Sequence, residues 1–341
     1  MDTVPTMEVP HVSARIGALI VHAAESAGVD PVRFAAEMGF DPTAAGDPDA
    51  RIPLELEERL WDEAARRSGV DAFGLRAAQG MRPGAFDVLD YAVRTAPTLR
   101  AALERLARYN RLVHDVARFS LVDRGDTVRV EHRFSRPGLQ PCRQASEFTI
   151  ASIVAFGSAL TGKPVRPLAV EFIHEAPASS NAHRMLFGLE PRFSSAVNAI
   201  ELDRETLERA IPGADPALSA VIERHAEALL AARPEIESTA QRVRRELAGM
   251  LRDGDASLAA AAKRVGMSAR SLQRRLADEG LSFDAVLDDL RRELALRYLA
   301  DPRIAIAEVA YLTGFSEPSA FHRAFKRWTG TTPGDARRQA A

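Results

Sequence analysis

Between residues 257 and 328 one short pattern occurs twice, about 48 residues apart, and it leaves the chain little choice of local fold. The first copy, S-L-A-A-A-A-K-R-V-G-M-S-A-R-S-L-Q-R-R-L, puts Leu258, Ala261, Ala262 and Val265 on one helical face. It then turns at Gly266-Met267-Ser268 and predicts a second helix over about 269–279. The second copy, I-A-I-A-E-V-A-Y-L-T-G-F-S-E-P-S-A-F-H-R-A-F-K-R-W, has Ile306, Val309 and Ala310 inward, a turn at Gly314-Phe315-Ser316 and a helix over about 318–328. In each, an alanine stands four residues before the glycine, Ala262 before Gly266 and Ala310 before Gly314. The small side chain lets the second helix approach, and the glycine accepts the positive φ that ends the first. Ser268 and Ser316 fall where an N-cap is wanted, and Pro318 fits a first helical turn.

With Leu272 and Leu276 buried in one second helix and Phe321 and Phe325 in the other, the outward positions are Arg270, Gln273 and Arg274 against Ser319, His322 and Arg323. These side chains suit base edges in a major groove: arginine forks onto guanine, glutamine onto adenine, and serine or histidine takes either role. An arginine-rich face on a single helix also fits plain solvation; the same face in two copies of one frame favours duplex DNA. The joining segment, residues 283–300, repeats apolar residues at Phe283, Val286, Leu287, Leu290, Leu294 and Tyr298 and predicts one amphipathic helix. Its length, roughly 27 Å at 1.5 Å per residue, is near the ~34 Å between successive groove faces on one side of a duplex.

This stretch of about 100 residues resembles the DNA-binding domain of the AraC/XylS family of bacterial transcription regulators. Its most specific part is 307–338, where Gly314-Phe315, Phe321, Phe325-Lys326, Gly330 and Pro333 stand in the family's places. The resemblance implies an all-α domain with two helix-turn-helix motifs joined by a linker helix. It carries base contact over to the same six residues, Arg270, Gln273, Arg274, Ser319, His322 and Arg323, and implies promoter DNA and RNA polymerase as partners, with activation as the expected output.

A net charge of −2 looks wrong for such a chain until it is divided. Of 45 basic and 47 acidic residues, 18 and 14 lie from Glu237 onward, leaving 27 and 33 before it. A mildly basic C-terminal module on an acidic N-terminal one suits specific rather than charge-driven binding. At 341 residues and 46% apolar content there is enough chain for two domains. The single cysteine, Cys142, excludes an intramolecular disulfide and an all-cysteine metal site. No apolar run approaches 18 residues and no charged-then-apolar leader opens the chain, so a soluble cytoplasmic protein without membrane contact is expected.

Residues 12–80 predict helices separated by proline-led turns, and Thr98 predicts the cap of a helix carrying Leu99, Ala102, Leu103, Leu106 and Tyr109. The period then changes. Residues 117–122 and 128–134 predict a hairpin around Arg124-Gly125-Asp126, followed by a helix over 144–160, a strand over 168–173, a short helix near 182–186 and a strand near 199–202. The result is an α+β domain. Residues 96–109, F-I-H-E-A-P at 172–177 and F-G-L-E-P-R-F-S-S-A-V-N-A-I-E-L-D at 187–203 resemble the N-terminal ligand-sensing type found on a branch of AraC-like regulators. That resemblance implies a small-molecule effector; the closely spaced strands of a barrel-like sugar sensor are not evident. A helix over 215–233, with Leu218, Val221, Ile222, His225, Leu229 and Leu230 inward, is expected against a second subunit or the sensor itself.

An enzyme needs a catalytic constellation, and none stands out. There is no glycine-rich phosphate loop, no G-x-S-x-G and no histidine pair at i, i+4 for zinc. His114, His132 and His174 fit core or half-exposed positions, and Cys142, between Pro141 and Arg143, offers a redox sensor as the alternative use of a lone thiol. No cofactor and no metal are expected. The chain is therefore read as an effector-controlled transcription regulator; the alternative is a metabolite-binding or catalytic N-terminal domain whose helical tail docks a protein instead of DNA. The expected organisation is 1–212 for ligand sensing and homodimerisation, 213–236 as a linker helix and 237–338 for DNA.

Overall fold

The fold was analysed in a computed structural model that describes residues 9–340 apart from 82, 137, 234–238, 254–255, 280 and 302. Two units separate after residue 234.

In the first unit short polar side chains start several of the helices. Strand β1 (His11–Ser13) passes directly into α1 (Ala14–Glu25), and the Ser13 hydroxyl accepts from the Arg15 N–H. Asp30 caps α2 (Pro31–Met38), whose first residue needs no donor and whose end is a left-handed Gly39. Strand β2 (Arg51–Pro53) pairs antiparallel with β1 and leads into α3 (Leu54–Ser68) and α4 (Phe73–Gln79). Then come α5 (Val88–Arg94) and α6 (Leu99–Tyr109), the latter capped by Thr98 as its sequence predicts. The hairpin β3 (Ala117–Asp123) and β4 (Thr127–Phe134) follows, with Gly125 at φ +82 in its turn. The long helix α7 (Arg143–Thr161), β5 (Ala169–Glu171), α8 (Asn181–Phe187), β6 (Asn198–Asp203), α9 (Arg204–Leu207) and α10 (Pro216–Ala232) complete it.

The main sheet is antiparallel throughout, in the order β3-β4-β6-β5. Strand alternation sends Val128, Val130 and His132 of β4 to the face covered by helices, where all three are buried. The opposite face holds Arg129, which forks onto Glu171 at 2.9 and 2.7 Å and holds that carboxyl below its ordinary range. The two helices α4 and α7 nearly touch: a Cβ at Gly74 would lie 2.1 Å from the Gln144 carbonyl, so only glycine fits there. Trp61, Tyr109, Phe34, Phe73, Phe172 and Phe187 fill the core.

The expected hairpin, central helix and strands are present. The pair β1–β2 was not foreseen, and α10 turns only half of its expected face inward. Ser219 and Ala226 are buried on it, Ile222, Leu229 and Leu230 pack against the first unit's core, and Leu218, Val221 and His225 are exposed. The reason is polar. Arg105 of α6 donates to Ser219 (2.8 Å) and pairs with Glu223, while the Tyr109 hydroxyl donates to Glu227 at 2.7 Å.

The second unit is entirely helical among its described residues: α11 (Thr239–Asp253), α12 (Leu258–Arg264), α13 (Ala269–Asp278), α14 (Phe283–Leu299), α15 (Ile306–Leu312), α16 (Pro318–Thr329) and α17 (Pro333–Ala340). It has two small cores strung along α14. Phe283, Val286, Leu287 and Leu290 join Ala261, Ala262, Leu272 and Leu276, whereas Ala295 and Leu299 join Val309, Ala310, Phe321 and Phe325.

Candidate functional site

The pairs α12–α13 and α15–α16 are built alike. Gly266 and Gly314 have φ of +72 and +76, and Leu272, Leu276, Phe321 and Phe325 are all fully buried. Ser268 caps α13, its hydroxyl accepting from the Ser271 N–H at 3.1 Å. Ser316 does not cap α16 as its position suggests. Glu317 precedes the helix without a side-chain cap bond, because Pro318 occupies the first helical position one residue later than Ala269 does in its copy. This single added residue changes the spacing between copies from 48 at the glycines to 49 at the buried pairs Leu272/Phe321 and Leu276/Phe325. Arg270 then corresponds to Ser319, Gln273 to His322 and Arg274 to Arg323.

All six of these side chains are exposed, three on α13 and three on α16. Arg270, Gln273, Arg274 and Arg323 have no hydrogen-bond or ion-pair partner among the described residues. Nearby arginines are occupied with structure instead. Arg291 of α14 donates to the Thr313 and Gly314 carbonyls, each at 3.1 Å, and lies over the Phe315 ring at 4.6 Å, which ties the α15–α16 turn to α14. Arg242 donates to the Val265 carbonyl at 3.0 Å, and Arg337 to the Ile304 carbonyl at 2.7 Å. Arginine left unpaired on one outward face carries its full donor set to whatever binds there.

The first unit encloses a cavity of about 150 Å³ between α3, α5, α6, α7 and the inner face of β3 and β4. Its walls are largely aromatic and aliphatic, among them Trp61, Phe119, Phe134, Phe148 and Phe156, and among the described residues no lysine or arginine lines it. One end is polar. Glu57 accepts from the Trp61 indole N–H at 3.1 Å and sets its other oxygen 3.5 Å from Nε2 of His114. His114 Nδ1 accepts from the Val116 and Ala117 N–H groups at 3.3 and 3.1 Å, so the proton of this imidazole sits on Nε2. His132, opposite Phe119 in the β3–β4 ladder, is buried with Nδ1 unpartnered, and burial lowers its pKa to about 3.

Burial pushes the Cys142 thiol well up, which is the wrong direction for the redox-sensor alternative. Glu147 accepts from Arg143 at 2.8 Å and meets His183 Nε2 at 3.0 Å beneath the Phe172 and Phe193 rings. Among the described residues no group of three or more His, Cys, Asp or Glu is arranged to hold a metal ion, and no helix is long and apolar enough to cross a membrane.

Residues 28–211 match the family described as the arabinose-binding domain of AraC transcription regulators, N-terminal, and residues 261–339 match a helix-turn-helix domain family. The ornithine utilization regulator of Pseudomonas aeruginosa is 32% identical to this chain, over 87% of each. The chain belongs to the AraC family of transcription regulators. A second AraC-type relative, the transcriptional regulator VirS of Mycobacterium tuberculosis, is 31% identical over 90% of each chain. The solved structure of the regulator CdpR from Pseudomonas aeruginosa aligns over 90% of this chain and 96% of that one, with 24% identity and a TM-score of 0.43. This AraC-family chain is thus a DNA-binding transcription regulator with an N-terminal sensor domain of the arabinose-binding type. Its relatives are transcription regulators rather than enzymes.

Sequence reasoning placed the six outward residues but named no cavity residue. A signal was available in part: Phe119, His132 and Phe134 fall on one face of the predicted hairpin, a histidine between two phenylalanines. The anchoring roles of Arg242, Arg291 and Arg337 had no local signal, since each reaches a carbonyl more than twenty residues away.

Proposed function

We propose that α12–α13 and α15–α16 act as two helix-turn-helix units linked by α14, and that α13 and α16 enter successive segments of the major groove of a promoter. Arg270, Gln273 and Arg274 read one segment; Ser319, His322 and Arg323 read the other. The observation that carries this is the matched, exposed placement of the six, with every arginine among them unpaired whereas Arg242, Arg291 and Arg337 are tied into the fold. The 17 residues of α14 give about 26 Å of separation, close to one helical turn of DNA. A protein-docking tail would instead show an apolar or acidic outer face.

Residues 1–212 sense a small organic effector in the aromatic cavity and dimerise, 213–236 connect, and 237–338 bind DNA; RNA polymerase is the partner through which the cytoplasmic homodimer acts. Support for the sensor comes from the cavity's apolar walls and few polar groups, the usual character of a small-molecule site. Selection of bound sequences from a random duplex pool by the full chain tests the DNA reading. An enriched motif with two elements about one turn apart is expected; a bound pool with no enriched sequence would overturn it.

A further inference from the structure

We infer that the cavity takes an uncharged one-ring compound bearing a hydroxyl, a phenol or an aryl alcohol. This rests on the reading of the cavity as the effector site. Four observations narrow the ligand: volume, wall, charge and the unfilled hydrogen-bonding capacity at one end.

A cavity of about 150 Å³ is the size that admits a single benzene ring. Aromatic walls favour a ring over a short chain of the same size. Trp61 and Phe148 stand with centroids 5.0 Å apart on one side, and Phe119 lies 5.0 Å from the His132 ring on the sheet side. The lining carries no lysine or arginine among the described residues, and a carboxylate or phosphate there would lie near Glu57 without a counter-charge from those residues. Asp90, the other acid in the wall, already gives its oxygens to Arg94 and the Gly84 N–H. An ammonium would therefore exchange its hydration for a single free carboxyl oxygen, that of Glu57.

The polar end is contiguous. His114 is 3.5 Å from Glu57, its ring is 5.1 Å from Phe134, and Phe134 meets His132 edge-on at 6.1 Å. Glu57 Oε2 and His132 Nδ1 are both buried; His132 Nδ1 lacks a hydrogen-bond partner, and Glu57 Oε2 has only the long 3.5 Å contact with His114 Nε2. Glu57 asks for a donor, and His132 asks for a donor or an acceptor according to its tautomer. A hydroxyl is the smallest neutral group that both donates and accepts, so it satisfies whichever of these two atoms it meets, in either tautomer of His132. A ketone cannot donate to Glu57, and a hydrocarbon leaves both groups orphaned.

Calorimetric titration of the full-length protein at neutral pH tests this with 4-methylphenol, benzyl alcohol, toluene, benzoate and benzylamine as probes. The two hydroxyl compounds are expected to bind at least about tenfold more tightly than toluene, since a site built for a hydroxyl discriminates against its absence. Benzoate and benzylamine are expected to give no binding heat. His132→Phe is expected to bring 4-methylphenol down to the level of toluene while toluene itself still binds, which also shows that the variant folds. Toluene, benzoate or benzylamine binding as tightly as 4-methylphenol, with that binding abolished in the cavity-filling variant Ser152→Phe, overturns the ligand class and keeps the cavity as a binding site. Absence of binding by all five probes overturns the cavity reading itself.

Discussion

Two arginines 17 positions apart illustrate how differently the same side chain serves this chain. Arg274 is exposed and unpaired on α13, whereas Arg291 is half-buried with its guanidinium on two carbonyls of the α15–α16 turn. Arg274→Ala is expected to leave the unfolding temperature unchanged and to weaken specific DNA binding by ~1–3 kcal/mol, relaxing preference at one base pair. Arg291→Ala leaves two carbonyls without their donor and is expected to cost about 1–3 kcal/mol of stability in the second unit, visible as a lower unfolding temperature. Equal thermal shifts in the two variants would contradict the division of roles. His132 gives a pH signature at the same scale. Its folded pKa, about 3, lies below the ordinary histidine value of 6.5, so below 6.5 the unfolded chain takes up a proton there that the folded chain does not. Stability contributed by the neutral, buried imidazole is complete above that pH and is lost by about 1.4 kcal/mol per pH unit as the pH falls toward 3. Urea titrations between pH 7 and 5 are expected to show a pH dependence shallower by about one proton in His132→Phe; identical slopes would mean the histidine titrates in the folded state.

At the scale of elements, what was legible followed periodicity and punctuation. The hairpin β3–β4 announces itself through alternation around Gly125, α14 through apolar spacing, and α13 and α16 through apolar spacing with Ser268 and Pro318 near their starts. What was not legible depends on partners distant in sequence. Strands β1 and β2 have three residues each, too few to alternate, and are fixed by Arg51, which donates to the His11 and Leu112 carbonyls and pairs with Asp115. The orientation of α10 was misread because Ser219, Glu223 and Glu227 face Arg105 and Tyr109, 114 to 118 positions earlier, so a polar side turns inward where apolar counting alone places Leu218 and Val221. This clamp predicts that Tyr109→Phe combined with Glu223→Ala loosens α10 by roughly 1–3 kcal/mol while the cavity and the main sheet stay intact. Hydrogen exchange would register faster exchange confined to 216–232; unchanged protection there would show that Ile222, Ala226 and Leu229 hold the helix alone. The cavity escaped notice for a similar reason: its polar end draws Glu57 from α3, His114 from the loop before β3 and His132 from β4.

Across the whole molecule, charge and exposure are distributed by task. The acidic N-terminal part and the mildly basic C-terminal part give a net charge near zero, yet Arg270, Arg274 and Arg323 stand exposed and unpaired on the outward faces of α13 and α16. Exposed Leu218 and Val221, side by side on α10, supply an apolar patch for the proposed homodimer, and a dimer of the 37.1 kDa chain is expected in sedimentation at tens of micromolar. A monomer at that concentration would leave DNA as the element that brings two copies together. The reading of DNA by two helices is tested most directly by repeating the random-duplex selection with Arg274→Ala and Arg323→Ala beside the unaltered chain. Two-element recognition predicts that Arg274→Ala degrades preference in one element and leaves the other sharp, that Arg323→Ala does the reverse, and that the two elements lie about one helical turn apart. Both variants blurring the same element, or both lowering affinity uniformly for every sequence, would contradict it.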